Sequence, residues 1–213
     1  MNVLILSGAN HRFEDSAAVI NGFLSDQGDL DVTLTDDKDV LASGMDEYDT
    51  CVFGTGFTRT VRQPDGTRKR EPDLTSEQEE GLFSYVRDGK GLVGIHGTAW
   101  WIGGQAVDLI GGHANWHPPG LTFKVQIEDT EHPIMRGIGE FEVEDEIYMS
   151  AWDPYIHVLA TAAWSEKQHP MAWVKSYGEG RVFYTTLGHG PGTFEGPAMQ
   201  TLVTQGVRWA GQN

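Results

Sequence analysis

The sequence is poor in cysteine, in basic residues and in long apolar runs. Cysteine occurs once among 213 residues, at Cys51, so no internal disulfide can form and no cysteine–histidine zinc framework is present. Fifteen lysines and arginines stand against 31 aspartates and glutamates, which gives a formal net charge of −16. Because phosphates and anionic lipids are bound by basic surfaces, we expect neither nucleic acid nor a membrane surface as a partner.

The chain also lacks the apolar segments that direct proteins to or across membranes. No apolar run approaches the roughly 20 residues of a membrane-spanning helix. Residues 1–6 are too short and too uncharged for a secretory signal peptide. We therefore expect a cytoplasmic protein, and its 213 residues fit a single domain over residues 1–213 with a sizeable core.

Short apolar segments alternate with helical patterns through the first half of the chain. Three of these segments, residues 3–6, 51–54 and 92–95, are each followed by a loop containing glycine and then by a helical pattern. Such buried runs are typical of parallel strands, so we expect them to be neighbours in one sheet with their carboxyl ends at one cleft. A capping-box sequence, Thr75-Ser76-Glu77-Gln78, predicts the start of the helix before the third strand.

The pattern of the sequence changes after residue 120. Residues 121–127 alternate between apolar and polar side chains, as a half-exposed strand does, and four more strand candidates follow. A last helix is predicted from Gly196-Pro197, because proline suits the first helical position. The predicted fold class is therefore α/β: a three-layer, doubly wound, mainly parallel sheet extended by antiparallel strands.

A long connection rich in arginine, proline and glycine spans residues 55–73. It contains four arginines and one lysine, a concentration of basic residues that stands out in so acidic a chain. Connections of this length inside a compact domain are usually lids, partner surfaces or flexible segments. We predict a lid or a subunit contact, and in the second case the protein would be a homo-oligomer.

The run from Gly91 to Trp101 is the segment around which the rest is organised. Its apolar strand ends in a small-residue turn, and His96 occupies the position directly after the strand. Open α/β sheets bind ligands at this edge, and hydrolases hold a nucleophilic serine in a similar elbow. An imidazole there suits proton transfer or metal ligation, whereas a buried histidine with satisfied nitrogens is the structural alternative.

Other chemistry-capable side chains follow predicted strands or lie in the loops beside them: His11, His113, His117, Asp145, Glu146 and His189. His113 and His117 are four residues apart, a spacing that places two metal ligands on one face of a helix. The Gly-Gly pair before them and the Pro-Pro pair after them predict a loop instead, so the metal signal is weak. For Asp145 and Glu146, a solvated acidic turn is the alternative to a catalytic pair.

Three of the histidines, His96, His113 and His189, are expected to converge on one site. The reason is topological, because loops at the carboxyl ends of parallel strands gather along one edge of the sheet. Glu146 or Asp145 would be the carboxylate partner in acid–base chemistry. A divalent metal ion is a candidate cofactor that the sequence does not identify.

Aromatic residues cluster in sequence around these polar groups. An aromatic face suits the apolar C–H face of a sugar ring, while core packing is the alternative for each ring taken singly. Because Trp100 and Trp101 are adjacent, at least one of them is expected to face the cleft. The candidate substrate-binding residues are His11, Trp100, Trp101, Asn115, Trp116, His117 and Tyr148.

Six segments together resemble the ThuA-like family, which is named for trehalose utilisation: residues 91–96, 111–118, 131–134, 145–148, 177–189 and 206–210. The resemblance implies the fold of class I glutamine amidotransferases, a flavodoxin-like arrangement, with His96 where those enzymes carry their cysteine. It also implies a role in sugar metabolism, on a trehalose-like disaccharide or a keto-sugar.

The function predicted from the sequence is an enzyme that acts on a small-molecule sugar or keto-sugar through histidine and carboxylate acid–base chemistry. Isomerisation, elimination and hydrolysis all remain open, with or without assistance by a metal. The alternative is a non-catalytic sugar-binding or sensing module on an amidotransferase-like scaffold. Glutamine amidotransferase activity is not expected, because Cys51 lies in a different strand from the elbow.

Overall fold

The computed structural model describes residues 1–8, 13–101 and 104–212. The described residues form these strands: β1 (Asn2–Leu6), β2 (Asp31–Thr35), β3 (Thr50–Phe53), β4 (Thr58–Arg62), β5 (Arg68–Pro72), β6 (Gly91–Ile95), β7 (Gly112–Trp116), β8 (Leu121–Ile127), β9 (Phe141–Asp145), β10 (Met149–Trp152), β11 (His157–Trp164), β12 (Lys167–Tyr177) and β13 (Gly180–Thr185). The α-helices are α1 (Phe13–Ser25), α2 (Val40–Ser43), α3 (Ser76–Arg87), α4 (Gly104–Ile110) and α5 (Pro197–Gly211). None of the described helices is long and apolar enough to cross a lipid bilayer.

One nine-stranded sheet carries the fold, in the order β2-β1-β3-β6-β13-β12-β11-β8-β9. Strands β2, β1, β3, β6 and β13 run parallel, and each later neighbour pairs antiparallel. The predicted parallel neighbours are confirmed, since Cys51 pairs with Leu4 on one side and with Leu92 on the other. Nearly every residue of β1, β3 and β6 is buried, as their unbroken apolar sequences require.

Helices cover both faces of the sheet. Gly206 of α5 lies so close to the ring of Phe183 in β13 that a Cβ there would meet the ring at 2.3 Å. The next residue along β13, Tyr184, faces the other way and packs on Trp173, whose indole nitrogen donates to the carbonyl of Ile110 in α4 at 2.7 Å. Helices α5 and α4 therefore lie on opposite faces, and the predicted three-layer arrangement is confirmed.

The capping box predicted at Thr75 is present and begins α3. The backbone N–H of Gln78 donates to the Thr75 hydroxyl at 3.2 Å, and the Thr75 N–H donates to the Gln78 side chain at 2.9 Å. These two bonds satisfy donors that a helix start leaves without partners in the helix. Helix α3 thus starts at a fixed position and leads into β6, the strand that carries His96.

Two segments differ from their predicted structure. Residues 55–73, expected as an irregular connection, contain an antiparallel hairpin of β4 and β5. The stretch around His113, expected as a loop, is strand β7, which pairs with β10. Its glycines permit this because a Cβ on Gly112 would meet the ring of Trp173 at 2.9 Å, so only glycine lets the strand lie this close to the core.

Cys51 lies in the middle of β3 and is fully buried. Burial in an apolar environment raises the pKa of its thiol far above the ordinary value, so the reactive thiolate does not form. We expect no ammonia release from glutamine, and we expect Cys51→Ala to leave turnover of the true substrate unchanged. Glutaminase activity in the wild-type protein that disappears in Cys51→Ala would contradict this reading.

Candidate active site

His96 follows β6 in a strained elbow. Its φ angle of 37° lies in the left-handed region, which is uncommon for residues other than glycine. A short 3₁₀-helix, His96–Trp100, starts there, and the Thr98 hydroxyl donates to the carbonyl of Phe53 at 3.0 Å. Strain of this kind persists only when the surrounding structure enforces it, and it is concentrated at functional sites.

The His96 ring is buried and held at both nitrogens. Nδ1 lies 2.7 Å from the carbonyl oxygen of Thr186, and a carbonyl can only accept, so Nδ1 carries the hydrogen. Nε2 therefore faces the site, where the Tyr148 hydroxyl lies 2.6 Å away. The Tyr184 hydroxyl donates to the His96 carbonyl at 2.8 Å and holds the backbone of the elbow.

Glu146 lies between three imidazoles. One carboxylate oxygen is 3.4 Å from His96 Nε2, and the other is 3.3 Å from His189 Nδ1 and 3.4 Å from His117 Nδ1. Burial alone would raise the pKa of this carboxyl, but the hydrogen bond with His96 and the electrostatic interactions with His96, His189 and His117 outweigh burial and lower it. Glu146 is therefore ionised at neutral pH.

Tyr148 supplies a proton donor beside this carboxylate. Burial raises the pKa of its hydroxyl well above the ordinary value, so the phenol keeps its proton at neutral pH. Its ring centroid lies 4.6 Å from that of His96 and 5.7 Å from that of His117. The site thus joins a phenol, an ionised carboxylate and an imidazole nitrogen, which are the elements of acid–base chemistry.

Asp145, the other predicted carboxylate, lies behind the cluster of imidazoles, carboxylate and phenol around His96. Its fully buried carboxylate accepts the backbone N–H of Glu146 at 2.7 Å and that of Gly188 at 2.7 Å. It also accepts the Thr193 hydroxyl at 2.8 Å and the His189 N–H at 3.3 Å. Since both of its oxygens are occupied by these donors, Asp145 fixes the positions of Glu146 and His189.

The two adjacent tryptophans have separate environments. Trp100 packs edge-on against the rings of Tyr148 and His117, with distances of 5.7 Å and 6.1 Å between the ring centroids. Trp101 is buried in the core and contacts the rings of Phe57 and Phe83. Trp100 is therefore the member of the pair at the site, whereas Trp101 has no surface free for a ligand.

The remaining predicted residues do not join the cluster in the described part of the chain. His113 lies in β7 opposite Ala151, and among residues 1–8, 13–101 and 104–212 no hydrogen bond, ion pair or ring contact links it to His96 or His189. Asn115 is exposed, and the half-exposed ring of Trp116 lies against Trp164 at 6.1 Å. His11 lies outside the described residues. A role for His113 stays a prediction.

A cleft opens beside the cluster. It has a volume of ≈ 610 Å³ and lies between β9 and the segment from His189 to Met199, with Glu146 and His189 on its wall. Pockets of about 300–1,000 Å³ bind small molecules in proteins, so this cleft is large enough for a sugar. His189 is accessible from it, since 55% of its side chain is exposed.

Three residues that hold the site were not predicted from the sequence. Tyr184 and Thr186 fix the His96 backbone and tautomer, and Thr193 completes the partners of Asp145. The sequence contains one sign of the position of Tyr184, which is the glycine at position 94 within an apolar strand. Gly94 lies opposite Tyr184 in the neighbouring strand, and a side chain at Gly94 would meet the tyrosine ring at 2.9 Å. The Thr186 contact is made by a backbone carbonyl, which every residue type provides.

The basic hairpin reaches the site through Arg70 of β5. The guanidinium of Arg70 in β5 lies over the ring of Trp100, 5.8 Å from its centroid. Thr58 and Pro72 are directly opposite each other at the base of the hairpin, so residues 59–71 can be replaced by two glycines without separating the strand ends.

We expect this replacement to weaken sugar binding by about two- to fivefold, the effect of losing an exposed cation–π contact, and to change any salt-sensitive self-association. Isothermal titration and sedimentation of wild-type and shortened proteins measure both quantities, with Arg62→Gln as a control on the same hairpin. Unchanged affinity together with an unchanged oligomeric state would mean that the hairpin is neither a lid nor a subunit contact.

These features define an α/β protein whose mixed sheet carries an imidazole–carboxylate–phenol centre at the elbow after a central parallel strand. The ThuA family, described as "Trehalose utilisation", matches residues 2–210, and the chain belongs to this family. The resemblance found in the sequence is thereby confirmed, and so is the predicted fold, which is consistent with that of the glutamine amidotransferases.

Solved structures of low sequence identity share the fold. A ThuA-like protein from Parabacteroides merdae is 18% identical with a TM-score of 0.81, and the alignment covers 99% of this chain and 89% of that one. A ThuA-like protein from Bacteroides uniformis is 19% identical with a TM-score of 0.77, covering 99% and 91%. The β-galactosidase from Bacillus circulans is 13% identical with a TM-score of 0.65, covering 97% of this chain and 31% of that one. No curated protein sequence matches this chain.

Proposed function

We propose that this protein is an enzyme of sugar metabolism that moves a proton to and from the carbon beside the carbonyl of a keto-sugar, in an isomerisation or elimination. Membership of a family described as trehalose utilisation suggests the sugar-metabolism role. A trehalose-like disaccharide, or its keto derivative, is the proposed substrate class. The charge of −16 argues that this small molecule, rather than nucleic acid or a membrane surface, is the partner. We also propose a cytoplasmic location.

The proposal rests on one observation: a proton donor and a proton acceptor lie beside the same ring nitrogen. Within 3.4 Å of His96 Nε2 lie the protonated phenol of Tyr148 at 2.6 Å and the ionised carboxylate of Glu146 at 3.4 Å. In the proposed reaction a C–H bond beside the carbonyl breaks, its electron pair forms the double bond of an enolate, and the proton passes to the cluster. Such a step needs an acceptor for the proton and a donor to the developing oxyanion, and it needs no covalent nucleophile.

Exchange of hydrogen for deuterium tests this reaction directly. A 3-keto derivative of a glucose disaccharide, incubated with the protein in D₂O, should lose the NMR signals of the protons beside its carbonyl. We expect Tyr148→Phe to slow this exchange by about 10²–10³-fold, because it removes the hydroxyl and keeps the ring. Saturable binding of the sugar without any exchange would instead support the non-catalytic binding module.

Tyr155→Phe is the matched control for this experiment. It makes the same chemical change at a tyrosine that is 88% exposed and distant in sequence from the elbow. Its exchange rate should equal that of the wild-type protein. If the two variants slow exchange equally, the phenol of Tyr148 has no special part in the reaction.

A further inference from the structure

Three donor atoms from three separate segments face one another at the edge of the cleft. His96 Nε2 is 3.3 Å from His189 Nδ1 and 3.4 Å from Glu146 Oε2, while Glu146 Oε1 is 3.3 Å from His189 Nδ1. With one ligand atom taken from each residue, all three atoms lie within 4.8 Å of one another. Ligands bound to zinc at about 2.0–2.1 Å with tetrahedral angles are about 3.3–3.4 Å apart. The distance between the two imidazole nitrogens matches such an edge, and each imidazole nitrogen lies at the same distance from one of the two oxygens of Glu146.

The directions of the ring nitrogens suit a cation at the centre of this triangle. Because Nδ1 of His96 donates to the Thr186 carbonyl, Nε2 is the ring nitrogen that faces Glu146, and it shares this position with the Tyr148 hydroxyl at 2.6 Å. His189 Nδ1 lies 3.3 Å from the same nitrogen, so a divalent cation there would take one ligand atom from each of three residues.

The surroundings resemble the outer shell of a metal site. Metal-bound histidines usually donate their second ring nitrogen to a carbonyl or carboxylate, as His96 does to Thr186. Asp145 fixes the backbone N–H groups of both Glu146 and His189. The cleft on the side of His189 leaves room for a water or a substrate oxygen at a fourth position.

We propose that His96, Glu146 and His189 bind one divalent transition-metal cation, with zinc or manganese as the candidate ions. Two imidazoles and one carboxylate with an open position form a ligand set that catalytic zinc uses. This inference deepens the proposed function and rests on it: the cation would polarise the carbonyl oxygen of the sugar and lower the pKa of a bound water, and the hydroxide so formed would take the proton from the carbon. The Tyr148 hydroxyl, no longer bonded to Nε2, is then free to donate to the substrate oxygen.

Metal binding can be measured without reference to activity. The full chain, prepared without a histidine tag and stripped by a chelator, is titrated with ZnCl₂ and with MnCl₂ by calorimetry, and native mass spectrometry gives the stoichiometry. We expect one equivalent of one of these ions to bind, with affinity reduced at least tenfold in His189→Ala and in Glu146→Gln. His189→Ala is the more decisive variant, because its half-exposed side chain can be removed without opening the core.

A second histidine–carboxylate pair supplies the matched control. The Nε2–H of His157 donates to the Asp129 carboxylate at 2.8 Å on the surface, next to His132, and this group could collect metal adventitiously. His157→Ala should leave the one-equivalent binding unchanged. Binding that survives His189→Ala but disappears in His157→Ala, or no stoichiometric binding of either ion, would overturn the proposal.

Deuterium exchange separates this proposal from the function on which it rests. Exchange that disappears on chelation and returns with the metal supports both. Exchange that proceeds equally well in the metal-free protein overturns the cation and leaves proton transfer by the side chains in place. One equivalent of metal without exchange supports the metal site and overturns the proposed reaction.

Discussion

His96→Asn should abolish deuterium exchange into the keto-sugar, lowering its rate by at least about 10³-fold, while the protein remains folded. The side chain provides the nitrogen around which Tyr148, Glu146 and His189 are grouped, at 2.6 Å, 3.4 Å and 3.3 Å. Asparagine lacks a basic nitrogen and is too short to reach the same positions. The rate is measured by NMR in D₂O, beside circular dichroism and thermal melting of both proteins.

Asparagine is chosen because of the backbone at this position. With a φ of 37°, residue 96 adopts a conformation that asparagine tolerates better than alanine or a β-branched residue. A loss of activity in a protein that still melts cooperatively can then be assigned to the missing imidazole. If His96→Asn exchanges deuterium at more than a tenth of the wild-type rate, His96 is not required for the reaction.

The parallel half of the sheet could be predicted because its strands are unbroken apolar runs. Such runs must be buried on both faces, and the glycine-containing loops between them gave the strand ends. The β7–β10 pair could not be predicted in this way, since Gly112 is used for its close approach to Trp173 and not as a turn. The β4–β5 hairpin consists mainly of exposed residues, so it lacks the apolar alternation that marks a half-buried strand.

The sequence predicted those parts of the site that depend only on the order of the parallel strands. His96 and His189 follow neighbouring parallel strands, β6 and β13, so their proximity was expected and the structure places Nε2 and Nδ1 3.3 Å apart. His117, predicted only as a cleft residue, contacts Glu146, whereas His113 is held in β7 by pairing with β10. The pairing of β7 with β10 decides whether His113 or His117 faces the site. This pairing could not be read from the sequence.

Asp145→Asn should cost about 2–4 kcal/mol of unfolding free energy and also slow the exchange reaction strongly. The carboxylate accepts four donors with no exposed surface, and two of these bonds, from Glu146 and Gly188, are only 2.7 Å long. An amide has nearly the same shape but one acceptor oxygen, so its NH₂ group must face an N–H or a hydroxyl. Each buried donor left without a partner costs about 1–3 kcal/mol.

The same substitution should displace His189 and Glu146, since Asp145 accepts the backbone N–H of both residues. Glu144→Gln is the control: it makes the equivalent change one residue earlier, at an exposed side chain of β9, and should alter stability by less than about 0.5 kcal/mol. Urea unfolding of the two variants, followed by metal titration of each, measures both effects. If Asp145→Asn is as stable as Glu144→Gln, the carboxylate does not hold the site together, and a direct catalytic role for Asp145 becomes the better explanation of any lost activity.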